Sequence, residues 1–174
     1  MANTFVKIAT VDVPLLGQSS IDFTSIPGTY TDLIVKWSTR TSAVASDDDI
    51  VLQFNGDSVS GHYAYKTLFG NGSSAGSGGN ASAPFGYVGR ANGSTSTAST
   101  FNNGEIYIPN YAGSNQKSFS VDEVKELNGT SGYQDLFANL WNQTSAITSI
   151  KIYSNSASSF VQYSSATLYG IKNS

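Results

Sequence analysis

The chain contains no cysteine and a single histidine among its 174 residues. Without thiols it can form neither a disulfide framework, nor an iron–sulfur cluster, nor a thiolate zinc site. A cysteine-free chain suits an oxidising or a reducing compartment equally well. Charge is also scarce: Asp, Glu, Lys and Arg make up 12% of the residues, about half the usual share. With a net charge of −3 and a pI near 4.9, there is no basic footprint for nucleic acid or an anionic bilayer. No stretch approaches the ~18 apolar residues of a membrane helix. The opening Met1–Val11 lacks the basic start and apolar run of a secretion signal, so no such leader is expected.

In place of charge the chain carries Ser, Thr, Asn and Gly, and aromatics reach 12%, too many for a disordered chain. Apolar residues alternate with polar ones, which is the pattern of half-buried strands. Phe5–Val13 alternates and is closed by Pro14. Leu33, Val35 and Trp37 share one face, and Ile50–Phe54 repeats the pattern before the tight-turn pair Asn55-Gly56. Further strands are expected at 21–23, 63–69, 105–108, 118–122, 147–153 and 160–171. Residues 133–142 place apolar side chains at 133, 136, 137, 140 and 141, which fits a helical face or a strand buried on both sides. The surrounding strands favour the strand. From Gly70 to Thr100 the composition turns to Gly, Ser, Asn and Ala and predicts long loops around a brief strand at 85–88, the most mobile part of the free protein. The expected fold is one all-β domain over 1–174, a two-sheet antiparallel β-sandwich of jelly-roll type.

Catalytic constellations are hard to assemble from this sequence. His62 has no nucleophile elbow near it. A glycosidase needs two carboxylates across a sugar, and only Glu105 with Asp122, Glu123 or Glu126 merits inspection. Asp47-Asp48-Asp49 is the densest charge run, but neighbours on an extended chain point to opposite sides and cannot share one cation. The Gly-rich segment 70–79 lacks the Lys-Ser/Thr and helix of a phosphate loop. The Asn-x-Ser/Thr sequons at Asn71, Asn80, Asn92, Asn128 and Asn142 are what this composition yields by chance. No catalytic residue, metal site or cofactor is therefore assigned. Among the aromatics, Trp37 alternates with core residues. Trp141, beside Asn142 and Gln143 at the end of its element, is the surface candidate for a ligand or partner, since aromatics beside amides are one way β-sandwiches hold sugars.

Several phrases are distinctive: the opening through Val11, Ser20-Ile-Asp-Phe-Thr-Ser-Ile-Pro-Gly-Thr-Tyr-Thr-Asp-Leu-Ile-Val-Lys36, Glu105-Ile-Tyr-Ile-Pro-Asn-Tyr-Ala-Gly-Ser114, Ala146–Ile150 and Gln162–Lys172. In them the chain resembles a group of small virion proteins of tailed phages, especially cyanophages and other aquatic phages. The likeness spans nearly the whole chain and is weakest from Gly70 to Thr100. It implies a structural protein of the particle, on the capsid surface or on a tail or fibre: a capsid decoration protein or a head or tail appendage, touching the major capsid or tail proteins. It carries no catalytic motif. By analogy such modules are symmetric homo-oligomers, with a trimer the expected form. The alternative is a receptor-binding tail-fibre module that holds host glycan.

Overall fold

Alternation becomes strand wherever it is clear, as a computed structural model of the chain describes for residues 4–126 and 132–172. Among the described residues there is no helix, and twelve strands run in the order β1 (Phe5–Asp12), β2 (Ser20–Phe23), β3 (Asp32–Thr39), β4 (Asp47–Phe54), β5 (Tyr63–Gly70), β6 (Ala75–Ala83), β7 (Gly86–Asn92), β8 (Asn102–Ile108), β9 (Lys117–Glu126), β10 (Gly132–Trp141), β11 (Ile150–Ser154) and β12 (Ser165–Ile171). They form an eight-stranded sheet, β1-β12-β3-β8-β9-β10-β5-β6, and a four-stranded sheet, β2-β11-β4-β7. Neighbouring strands are antiparallel, and the fold is a β-sandwich. The chain crosses between the sheets repeatedly, so the long loops collect at the two ends.

The core lies between the sheets. Ile21, Phe23, Ile50, Leu52, Phe54 and Ile152 of the small sheet meet Leu33, Val35, Ile106, Phe119, Val121 and Leu168 of the large one, all buried. Each such side chain contributes roughly 1.5–3 kcal/mol through burial. Phe54 sits at the centre, with the rings of Phe119 at 5.1 Å and Trp141 at 5.5 Å, both edge-on.

Residues 133–141 are strand, and the helix-like spacing has a simple origin. Tyr133, Asp135, Phe137, Asn139 and Trp141 face inward, while Gln134, Leu136, Ala138 and Leu140 face out. Polar residues on the inner face and apolar ones on the outer face erase the period of two. The alternative of burial on both sides does not hold, because Leu136 is 46% exposed.

The stretch 70–100 is not the long loop its composition predicts. β5 continues to Gly70, a short turn follows, and β6 pairs back on β5. Asn71 shapes that turn by accepting the backbone N–H groups of Ser73 (3.1 Å) and Ser74 (2.8 Å) through its Oδ1. The glycines serve close approach: a Cβ at Gly76 would strike the ring of Phe69. β7 then closes its own free edge without a strand. The side-chain amide of Asn139 accepts from Tyr87 N (2.9 Å) and donates to Tyr87 O (3.1 Å). Only residues 93–101 remain as irregular loop in that stretch. Of the turn expected at Asn128–Gly132, residues 128–131 lie outside the described residues, Asn128 included.

Candidate docking surface

Trp141 closes β10, and the half-buried Asn142 and Gln143 follow it directly. Strand parity turns Trp141 inward, where it is 2% exposed and stacks on Tyr63 with ring centroids 6.3 Å apart. Its Nε1 donates to Asp57 Oδ2 at 2.8 Å. Asp57 also accepts Val59 N (3.1 Å) and bonds His62 Nδ1 (2.8 Å). Burial pushes the Asp57 carboxyl up, but the hydrogen bonds from Trp141, Val59 and His62 outweigh it and hold it below the usual carboxylate range. Asn142 binds back to the same loop through N to His62 O (2.9 Å) and Nδ2 to Gly61 O (2.8 Å). Gln143 Nε2 donates to Asn142 Oδ1 at 2.6 Å. Trp141 and Asn142 thus tie the β4–β5 loop to the end of β10, and Gln143 bonds Asn142. His62 belongs to the same tie.

Two of the carboxylates, Glu105 and Asp122, line an open depression of about 420 Å³ with Lys36, Trp37 and Gly104. Glu105 and Asp122 stand opposite each other on adjacent strands, on the outer face, where Lys36 Nζ holds Glu105 at 2.9 Å. Glu123 points the other way, into the sandwich. Of the acidic triplet, Asp48 is buried and accepts Ser154 Oγ (2.7 Å) and Ser156 Oγ (2.8 Å), whereas Asp49 accepts the hydroxyl of Tyr87. Alternation turns Asp48 away from Asp47 and Asp49 while all three border one depression of about 320 Å³, and no group of three or more side chains placed to hold a metal is present among the described residues.

Between the sheets Glu123 meets a carboxylate that the sequence did not single out. Glu123 and Asp135 are direct cross-strand partners, and both are 0% exposed. Asn102 Nδ2 donates to Glu123 Oε1 at 3.2 Å, and Arg90 Nε lies 3.9 Å from Asp135 Oδ2. Burial, with the facing Asp135 charge, pushes the Glu123 carboxyl up to about 8. Burial also raises Asp135, against the pull of Arg90. Two buried carboxyls facing each other hold a proton at neutral pH.

The surface that stands out is one end of the sandwich, built by the loops 13–19, 41–46, 93–101 and 155–164. These loops bind one another through the backbone: Phe160 N to Gln18 O (2.8 Å), Ser42 N to Ser159 O (2.9 Å), Val13 N to Ser164 O (2.8 Å) and Ser94 N to Ala43 O (2.7 Å). The Arg40 guanidinium pins the 93–101 loop from below, donating to the carbonyls of Thr97 (2.7 Å), Thr100 (3.0 Å) and Ser96 (3.2 Å). The four most exposed large apolar side chains among the described residues all project here: Leu16 at 95%, Val44 at 90%, Tyr163 at 78% and Leu15 at 75%. No residue of these loops is Asp, Glu, Lys, Arg or His; the charges that border them are Asp12, Arg40, Asp47 and the buried Asp48, which accepts Ser156 Oγ. Tyr163 and Ala157 sit at φ 72° and 60°, left-handed conformations that non-glycine residues adopt at a cost. The opposite end differs: its exposed large apolar side chains, Val59 and Phe5, are less exposed, and its β4–β5 loop is tied down around Asp57.

One depression of about 540 Å³ opens where β5, β9 and β10 run out, lined by Leu68, Phe69, Val124, Tyr133, Gln134 and Leu136 among others. The fold and these surfaces define a β-sandwich whose most exposed large apolar side chains, among the described residues, gather at one end. Against protein-family models and curated protein sequences the chain finds no match.

Proposed function

We propose that this chain is a non-enzymatic structural module of a tailed-phage particle, a capsid decoration or head or tail appendage protein, which docks on other virion proteins through its charge-free loop end. The observation that carries the reading is the gathering of Leu15, Leu16, Val44 and Tyr163 on one interlocked end without charge. Apolar side chains scattered singly on a surface mean little, whereas a cluster on one face marks an interface. The likeness to small phage virion proteins points the same way. The strand order fits it too: β1-β12-β3-β8 over β2-β11-β4-β7 is the order of jelly-roll wrapping, with β9-β10-β5-β6 extending the larger sheet.

The test is binding to particles from which the chain has been removed. Wild-type protein is expected to rebind, and a Leu16→Asp/Val44→Asp double variant, folded by circular dichroism, to lose at least tenfold in affinity. Equal binding by the variant would refute the docking end. Hundreds of copies over the head mean decoration, and a few at the tail mean an appendage. A second reading, a module that holds host glycan, draws on Tyr133 and Gln134 in the depression beside β10. It requires a host glycan to bind and a Tyr133→Ala variant to lose that binding.

A further inference from the structure

The four sheet edges are not alike. β1 carries Lys7 and Asp12 and is broken by a register shift between Lys7 and Ala9. β2 is four residues long and carries Asp22. The free side of β7 is capped by the Asn139 amide. β6 has only one of these features, a register shift confined to its end. It is nine residues long, contains only Ala, Gly, Ser and Asn, and is exposed along most of its length. From Ala75 to Asn80 it pairs with β5 without interruption from Gly70 to Tyr65, and the register shifts only beyond Asn80. Its other side faces no strand. Protein edges are ordinarily blunted by charge, proline, brevity or a bulge, because a bare edge is a template for another strand.

We infer that β6 pairs antiparallel with β6 of a second copy of this chain, extending the eight-stranded sheet across a twofold axis. An open edge accepts only an extended strand, and this one limits which. Its side chains are small and leave no pockets between them, so a foreign peptide would find backbone hydrogen bonds but nothing to select its sequence. A strand without charge meets its own copy without repulsion. Because the opposite edge, β1, is blunted, head-to-tail addition is blocked and pairing through the same edge closes at two copies. The surface is modest: a nine-residue strand is about 30 Å long and a sheet with its side chains about 10 Å thick, which gives roughly 300 Å² per copy. That is well under the ~800 Å² per partner of a standard interface, so the pair forms in the micromolar range or above.

Sedimentation of the full chain over roughly 1–200 μM tests this. The wild type is expected to move from its 18.3 kDa monomer mass toward twice that value. Amide exchange at 75–80 should slow as concentration rises. A Ser77→Lys/Asn80→Lys variant, both positions exposed, should keep the wild-type Tm and circular dichroism and remain monomeric. The Leu16→Asp/Val44→Asp variant should associate as the wild type does, which separates this interface from the docking end. A wild type that stays monomeric to the top of the range, or association that survives the lysine substitutions, overturns the inference.

Discussion

The buried Glu123–Asp135 pair makes stability depend on pH in a direction opposite to that of most carboxylates. In the folded chain Glu123 keeps its proton to about pH 8, while in the unfolded chain it loses it near 4.5. Between those values the native state binds one more proton than the unfolded state. Unfolding free energy therefore falls as pH rises, by about 1.4 kcal/mol per unit for one proton. From pH 5 to pH 7.5 that is about 3 kcal/mol, and the decline levels off once the folded group titrates. Asp47 and Asp57 have lowered pKa values, so their contributions are complete above about pH 4 and do not change in this window. The perturbation is Glu123→Gln, which preserves volume and still donates toward Asp135. The assay is urea unfolding at half-unit steps from pH 5 to 8.5. The wild-type midpoint is expected to fall across the range and the variant's to fall less steeply, through Asp135 alone, whose carboxyl burial also raises. The curves should meet near pH 5, with the variant ahead by about 3 kcal/mol near pH 8. A wild-type stability that is flat or rises over this range, or a variant with the same slope, would refute the reasoning.

Other substitutions probe the rest of the fold. Asp57→Asn weakens the bonds to Trp141, Val59 and His62, and should cost about 1–3 kcal/mol at pH 7. Because the Asp57 carboxyl is held low, its contribution disappears as pH falls below about 4, so the variant's loss should shrink in acid urea titrations. Gly104→Ala places a Cβ against the Trp37 ring and 2.6 Å from Asp122 O. A drop of about 1–3 kcal/mol in thermal or urea unfolding is expected, and an unchanged Tm would contradict the β3–β8–β9 register. Asn139→Ala removes the amide that closes β7 and should speed exchange at the Tyr87 amide, measured by mass spectrometry.

Much of the fold was legible because its strands obey the period of two. Leu33, Val35 and Trp37 point to one face and into the core, as their spacing predicts. Legibility failed where the period was hidden. β6 has no side chain large enough to show a period, so pairing, not sequence pattern, makes it a strand. β10 puts Asp135 and Asn139 on its inner face and Leu136 and Leu140 outside, the reverse of the pattern. Trp141 ends its element, which suggests a surface, but parity decides the direction of a strand side chain. The loop end could not be read in advance, since Leu15 and Tyr163 become neighbours in space only after 13–19 and 155–164 bond to each other. Its one sequence signal is Leu15-Leu16 between Pro14 and Gly17, two apolar residues in a turn where polar ones are the rule.

The two proposed surfaces constrain each other. An antiparallel pair of β6 strands requires a twofold axis normal to the sheet, and that operation reverses strand direction. The loop end of one copy then points away from the loop end of its partner, so the dimer is a two-ended connector. On a flat shell only one end could engage, which suits a joint between components better than a layer over the head. Mixed with particles stripped of the chain, dimeric protein should cross-link them. Light scattering should rise with added protein and fall again in excess, once every particle site is filled by a separate dimer. The Ser77→Lys/Asn80→Lys variant should bind each particle and never cross-link, and the Leu16→Asp/Val44→Asp variant should do neither. Saturable binding by a wild type that dimerises in solution yet never bridges particles would mean that docking and β6 pairing exclude one another. The chain would then sit on the particle as a single copy, with its β6 edge covered by a virion protein.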